Sequence, residues 1–127
     1  MTKDNYFFDT YSIIEILKGN NKYENYKECR AMVSAFNLTE LHLHITRIFG
    51  EKIANEVLEE YSQCVVNFEL DDIKEATKLK IKYAERKLSI PDCVGYVISK
   101  RLGIKFLTGD EKFEDLENVE FVKNTMH

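Results

Sequence analysis

Short apolar runs alternate along the chain with longer segments of mixed polarity. Five short runs of four or five residues, each apolar except for one position, predict β-strands. They cover residues 5–8, 32–36, 64–68, 104–107 and 119–122. Between them, segments in which apolar residues recur every three or four positions predict helices. They cover residues 10–18, 22–30, 38–49, 51–62, 72–87, 89–102 and 111–116.

The order of these elements predicts the fold class. Strands and helices alternate without tight hairpin signals, which favours a parallel sheet covered by helices on both faces. With 127 residues, 44% of them hydrophobic, and one proline, the chain fits a single α/β domain over residues 1–127. No apolar run approaches the ~20 residues of a membrane span, so we expect a soluble protein.

The three cysteines indicate the compartment. Cys29, Cys64 and Cys93 are odd in number and widely spaced, which is typical of free thiols in a reducing environment such as the cytoplasm. No pair of Cys or His residues has the spacing of zinc ligands.

Charge is distributed unevenly along the chain. Residues 74–105 contain nine Lys and Arg against three acidic residues, a net charge of +6. Because the whole chain carries −4, the remaining residues sum to −10. This asymmetry is compatible with a basic face for a polyanion, and equally with the solvated faces of two helices.

Four acidic residues fall where the predicted sheet ends. Asp9 follows the first strand, and Asp110 comes just after residues 104–107. Asp92 opens the helix that leads into that strand, and Glu40 lies in the first turn of the helix after the second strand. All four belong to the carboxyl edge of the sheet, where open α/β sheets bind ligands. Singly, each also fits a structural role as a helix cap, a first-turn acid or a solvated side chain.

Together these acids indicate a cation site. Carboxylates ~4 Å apart repel by ~4 kcal/mol at an effective dielectric constant near 20, so a cluster requires a compensating charge or a raised pKa. Oxygen-only ligands suit Mg²⁺ or Mn²⁺.

The segments that carry these acids resemble the PIN domain family, specifically the stand-alone VapC-like toxin ribonucleases. They are Phe8-Asp9-Thr10 with residues 13–17, Ser34 through Glu40, Ile90-Pro91-Asp92, and residues 107–113. The resemblance covers essentially the whole chain, and it depends on the order of four motifs, none of which is specific alone.

The resemblance implies a three-layer α/β/α PIN-like fold, with a central parallel sheet of four to five strands, and a metal-dependent endoribonuclease. Asp9, Glu40, Asp92 and Asp110 match the family's four acidic positions and would hold one or two Mg²⁺ or Mn²⁺ ions. An activated water would attack RNA and leave a 5′-phosphate and a 3′-hydroxyl. A homodimer and an antitoxin partner are also implied.

The remaining site candidates are supporting residues. Thr10 and Thr108 match the family's small hydroxyl positions and are expected to hydrogen-bond to carboxylates or waters. Arg47 is a candidate phosphate contact, and residues 74–105 are a candidate basic surface for RNA. His42 and His44 are interpreted as ordinary helix residues.

Two other functions remain open. A PIN-fold module that binds RNA or protein with little catalysis is one, although it has no need to keep four repelling carboxylates. A phosphoacceptor receiver domain is the other, but receivers pair two acids after the first strand, and Asp9 has no acidic neighbour there.

Overall fold

Four short parallel strands form the sheet. In the computed structural model, which describes residues 4–123, their order in space is β2-β1-β3-β4, and every pair is parallel. The strands are β1 (Asn5–Phe8), β2 (Arg30–Met32), β3 (Lys105–Thr108) and β4 (Val119–Phe121). The two strands that lead into Asp9 and Asp110, β1 and β3, are therefore central neighbours.

Five α-helices cover the sheet. They are α1 (Thr10–Leu17), α2 (Ala35–Phe49), α3 (Glu51–Tyr61), α4 (Leu70–Lys82) and α5 (Ile90–Leu102). Short 3-10 helices cover Asn21–Tyr26, Ser62–Cys64, Ala84–Arg86 and Glu111–Phe113. Across residues 4–123, none of the helices is both long and apolar enough to cross a membrane.

Successive side chains of the central strands point to opposite faces of the sheet and pack into two separate cores. Phe8 and Leu107 pack in the core that contains residues of α1, α2 and α3. Their neighbours Phe7 and Phe106 pack in the core that contains residues of α4 and α5. Because successive strand residues point to opposite faces, this division confirms the three-layer α/β/α arrangement.

Two of the five predicted strands differ in the structure. Of the run at residues 32–36, only Met32 belongs to a strand, β2. The strand cannot continue because Ser34 caps α2 by accepting a hydrogen bond from the Asn37 amide. The run at residues 64–68 is not a sheet strand. It contacts the β2 segment through a single parallel bridge between Val33 and Val65. Beyond this bridge the run packs through its side chains, as where Phe68 meets Phe36 edge-on at 5.2 Å between ring centroids.

The helix predicted at residues 72–87 begins two residues earlier and ends five residues earlier in the structure. It begins at Leu70 because Glu69 and Asp72 form a reciprocal capping box. It ends at Lys82 with Tyr83 as its C-cap, and a 3-10 turn leads to Lys87 in the left-handed region, with φ of 54°.

Gly95 in α5 permits a close approach to the sheet. A Cβ atom at this position would lie 2.5 Å from Cε1 of Phe7 and 3.2 Å from Oδ1 of Asn37. The absence of a side chain therefore lets α5 contact both β1 and α2 one turn after Asp92.

Candidate active site

Asp9 and Asp110 are joined through a threonine at the end of the two central strands. Asp9 is fully buried, and its Oδ1 accepts a 2.7 Å hydrogen bond from the Ser12 amide as the N-cap of α1. The hydroxyl of Thr108 donates to Oδ2 of Asp9 and accepts a 3.0 Å hydrogen bond from the Asp110 amide. Both oxygens of Asp9 are thus oriented by fixed donors.

Asp92 contributes a carboxylate oxygen without a partner. It lies in the first turn of α5, where its amide donates to the hydroxyl of Ser89 at 3.2 Å. Its Oδ1 is buried and has no hydrogen-bond partner within the described residues. An unsatisfied buried polar group costs about 1–3 kcal/mol, and more when it is charged, so this oxygen is suited to a cation.

Burial, and to a lesser extent neighbouring carboxylates, raise the pKa values of two acids at the site. Burial raises the pKa of Asp92 well above its ordinary value, and the charges of Asp9, Glu40 and Asp110 raise it further. Burial also raises the pKa of Asp9 to about 6, against the opposing hydrogen bonds from Thr108 and Ser12. Since all three other acids act on Asp92, the four carboxylates share one neighbourhood.

Glu40 stands at the outer part of this neighbourhood. Because α2 begins at Ala35 rather than near Leu38, Glu40 lies in the second turn of the helix and not in the first. It is half-buried and lines a cleft together with Asp92.

The acids do not form a ready-made coordination sphere. Within residues 4–123, no group of three or more Asp, Glu, His or Cys side chains is placed closely enough to hold a metal ion. Ligation by these acids therefore requires side-chain rotation or bridging water. Mg²⁺ usually keeps several waters and binds few carboxylates directly, so the unpartnered oxygen of Asp92 and its acidic neighbours fit such an ion.

The cleft beside the acids has a volume of about 340 Å³. Its walls come from α1, α2 and the start of α5, and they are Thr10, Tyr11, Ile14, Glu15, Lys18, Glu40, His44, Ile48, Ser89 and Asp92. Two larger clefts, of about 550 and 540 Å³, lie between α4 and α5 and beside β2, and neither is lined by any of the four acids. Of the four acids, Glu40 and Asp92 line the smaller cleft, whereas Asp9 and Asp110 do not. The candidate site therefore lies at the Asp92 end of this cleft.

The supporting candidates occupy different positions. Thr10 is buried, and its hydroxyl is 3.5 Å from Nδ2 of Asn37 rather than paired with a carboxylate. Arg47 is exposed near the end of α2, about 10 Å along the helix from Glu40, and does not line the cleft. His42 bonds to Asn55 on α3 at 2.8 Å, whereas His44 lines the cleft.

Four polar residues at the site were not predicted from the sequence. Ser12, Ser34, Asn37 and Ser89 are hydrogen-bonded around the starts of α1, α2 and α5. A signal was present, since Ser34–Asn37 and Ser89–Asp92 have the three-residue spacing of helix caps. Their proximity depends on tertiary packing and could not be read from spacing.

The basic segment is largely paired within the described chain. Arg86 bonds to Asp115, Lys100 to Glu117 and Arg101 to Asp72, at 2.6–2.9 Å. Exposed pairs contribute little stability, but they reduce the positive field that a polyanion would meet. Six of the nine cations of residues 74–105 have an acidic partner in the described chain, so their positive field is reduced; they are Lys74, Lys78, Arg86, Lys100, Arg101 and Lys105.

We predict that the metal-free protein becomes more stable as the pH falls from about 7 to about 5. The folded-state pKa of Asp9, about 6, lies above its ordinary value of 3.8, so the folded state binds more protons in this window. The stabilisation is complete below about pH 4 and is lost as the pH rises through about 6. Chemical denaturation in chelator should show a gain of about 1 kcal/mol between pH 7 and pH 5.

The Asp9→Asn variant is the control for this titration, because it lacks the group. Its unfolding free energy should depend less steeply on pH than that of the wild type. Identical pH profiles for the two proteins would contradict the raised pKa.

Comparisons with known proteins give a family and several structural neighbours. The PIN domain family model matches residues 6–119. VapC20 of Mycobacterium tuberculosis, described as a sarcin–ricin loop cleaving toxin, aligns with a TM-score of 0.75 and 19% identity, covering 93% of this chain and 99% of that one. A toxin–antitoxin complex from Klebsiella pneumoniae aligns with a TM-score of 0.74 and 18% identity, covering 94% and 99%.

A third neighbour is VapBC2 of Rickettsia felis bound to promoter DNA. Its TM-score is 0.65 and its identity 16%, with coverage of 92% of this chain and 96% of that one. No curated protein matches the chain significantly. At these identities the solved structures show a shared fold, and the family assignment comes from the family model.

Proposed function

The chain belongs to the PIN domain family, and from that premise we propose that it is a Mg²⁺- or Mn²⁺-dependent endoribonuclease acting as the toxin of a toxin–antitoxin pair. One observation carries the proposal. A buried oxygen of Asp92 has no hydrogen-bond partner among the described residues, and three further carboxylates act on the same group. A divalent cation would satisfy that oxygen and offset the repulsion.

The residues that would hold the ion are Asp9, Asp92 and Asp110, with Glu40 at the outer side. A bound divalent ion supplies Lewis acidity that activates water and stabilises charge on a phosphodiester. Asp9 supports this chemistry by its fixed orientation, since Ser12 and Thr108 each donate to one of its oxygens.

The chain itself contributes mainly by holding Asp9 and Asp110 in fixed positions. Asp9 and Thr108 are fully buried, so water does not compete for the hydrogen bond between them. The same threonine accepts from the Asp110 amide, and Oδ1 of Asp110 accepts from the Lys112 amide at 3.0 Å. Two acids are therefore held in position before substrate arrives, and the ion would reach them through bridging water or after rotation of the other acids.

The toxin role is proposed because the structural neighbours are toxins. The descriptions of those proteins include a toxin that cleaves the sarcin–ricin loop and complexes of toxin with antitoxin. An RNA substrate, an antitoxin partner, homodimerisation and a cytoplasmic location are proposed here on that likeness.

A PIN-fold RNA- or protein-binding module with little catalysis is the second candidate. The observation that favours it is the lack, within residues 4–123, of any acid group already close enough to hold an ion. Metal-dependent cleavage separates the two candidates, because a binding module would retain RNA without cutting it.

The experiment that tests the proposal is an RNA cleavage assay. Purified protein, freed of any copurifying antitoxin, is incubated with total structured RNA in Mg²⁺ or Mn²⁺, and the products are mapped at their ends. Cleavage that leaves 5′-phosphates and stops on addition of chelator is expected. Intact RNA that is nevertheless bound would favour the binding module.

A further inference from the structure

Two helix faces form the long walls of the cleft beside the acids. Tyr11, Ile14, Glu15 and Lys18 follow one another at helical spacing on α1, and Glu40, His44 and Ile48 do so on α2. Both helices start at the carboxyl edge of the sheet, since each follows one of two adjacent parallel strands. The cleft therefore runs from the acids at the sheet edge towards Lys18.

This cleft offers few cations to an RNA backbone. Lys18 is the only Lys or Arg among its lining residues, and its Nζ lies 3.8 Å from Glu15. The chain carries −4 overall, and most cations of residues 74–105 have acidic partners. Because counterion release scales with the number of phosphates neutralised, backbone contacts supply little affinity here, and base contacts have to supply more.

Tyr11 has the position of a base-binding platform. Its ring packs against the backbone between Thr108 and Asp110, since a Cβ at Gly109 would lie 2.8 Å from Cε1 of Tyr11. The residue is nevertheless 37% exposed and lines the cleft. A ring held at its Cδ1–Cε1 edge by the Gly109 backbone, in a side chain that lines the cleft, loses little freedom when a base stacks on it.

We propose that this cleft is a nucleotide subsite for single-stranded RNA, in which one base stacks on Tyr11 and a neighbouring phosphate contacts Lys18. The subsite rests on the proposed ribonuclease function and specifies how its substrate is held. Lys18 is seven residues, and so about 10 Å, along α1 from Tyr11. The volume of about 340 Å³ falls within the ~300–1,000 Å³ of small-ligand sites.

Cleavage kinetics test the stacking contact. Tyr11→Leu should raise the KM for RNA about tenfold with kcat within about twofold, because stacking that is equal in the ground and transition states affects binding alone. Tyr11→Phe keeps the ring and should recover most of the wild-type KM, while Asp71→Asn on α4, away from the cleft, is the control for unchanged cleavage. An unchanged KM in Tyr11→Leu would overturn the proposal.

Binding to defined oligonucleotides isolates the base. In the Asp9→Asn background with Mg²⁺, fluorescence anisotropy compares a labelled ten-nucleotide oligoadenylate with a ten-unit abasic ribose-phosphate chain. Removing the bases should weaken binding about tenfold more in the protein with Tyr11 than in Tyr11→Leu. Equal losses in both proteins would overturn stacking at this residue.

The salt dependence of RNA affinity tests the contact between Lys18 and a phosphate. Lys18→Gln should make the slope of log affinity against log salt shallower by about 0.7, the contribution of one phosphate on a single strand. An unchanged slope would overturn this contact. If the wild type cleaves no RNA, the proposed nuclease function fails, whereas the oligonucleotide arm still supports or overturns the subsite by itself.

Discussion

Asp9→Asn should lower the rate of RNA cleavage by about 10³-fold, equivalent to about 4 kcal/mol of transition-state stabilisation. The substitution keeps the shape of the side chain and leaves an oxygen that can accept from the Ser12 amide. It removes the charge that would bind a cation at the centre of the cluster. Single-turnover cleavage in Mg²⁺ measures the effect on the chemical step.

Stability should move in the opposite direction to activity in this variant. Because Asp9 is fully buried and has a raised pKa, removing its charge should preserve or increase the melting temperature in chelator. Asp71→Asn is the matched control, since Asp71 lies on α4 with its side chain 83% exposed and should not affect cleavage. An Asp9→Asn protein that folds normally and cleaves at the wild-type rate would contradict the assignment.

Arg101→Leu should destabilise the protein by about 3 kcal/mol and lower its melting temperature by about 10 °C. Nε of Arg101 is 3.0 Å from Oδ1 of Asp72, and Nη2 is 2.9 Å from Oδ2. The Asp72 side chain is only 3% exposed. Loss of the guanidinium therefore leaves a buried carboxylate that still accepts a hydrogen bond from the Glu69 amide but has lost its cationic partner. Thermal and chemical denaturation measure the loss.

The neighbouring Lys100 provides the control for this prediction. Its ion pair with Glu117 joins side chains that are 44% and 75% exposed, so Lys100→Leu should change stability by less than about 1 kcal/mol. Combining Asp72→Asn with Arg101→Leu should restore most of the loss, since the buried charge is then absent. Equal effects of Arg101→Leu and Lys100→Leu would show that the buried pair has no special role.

The sequence predicted the central part of the fold because its signals there are local and strong. Asn5–Phe8 ends abruptly at a helix cap, and Lys105–Thr108 is bounded by Gly103 and Gly109. The run at residues 64–68 was misassigned because its apolar residues contribute to tertiary packing without pairing along their length. Periodicity cannot separate such a segment from a strand.

The positions of the four candidate acids were predictable in outline and less so in detail. Strand ends place Asp9 and Asp110 at one edge of the sheet, Asp92 lies in the first turn of α5, and Glu40 lies in the second turn of α2 rather than the first. Thr108 orients Asp9 across about a hundred residues of sequence, and sequence spacing does not show that contact. The unpartnered oxygen of Asp92 depends on its burial in the folded chain. Tyr11 was part of no motif, and only its packing against Gly109 singles it out.

Titration calorimetry with Mn²⁺ tests the central claim, that these carboxylates form one divalent-metal site, most directly. Wild-type protein and the Asp71→Asn control should bind one or two ions per chain with the same affinity. Asp92→Asn should bind at least about tenfold more weakly, because it loses the charge of the acid on which the other three converge. Equal binding by wild type and Asp92→Asn, or no binding by the wild type at about 1 mM Mn²⁺, would contradict the claim.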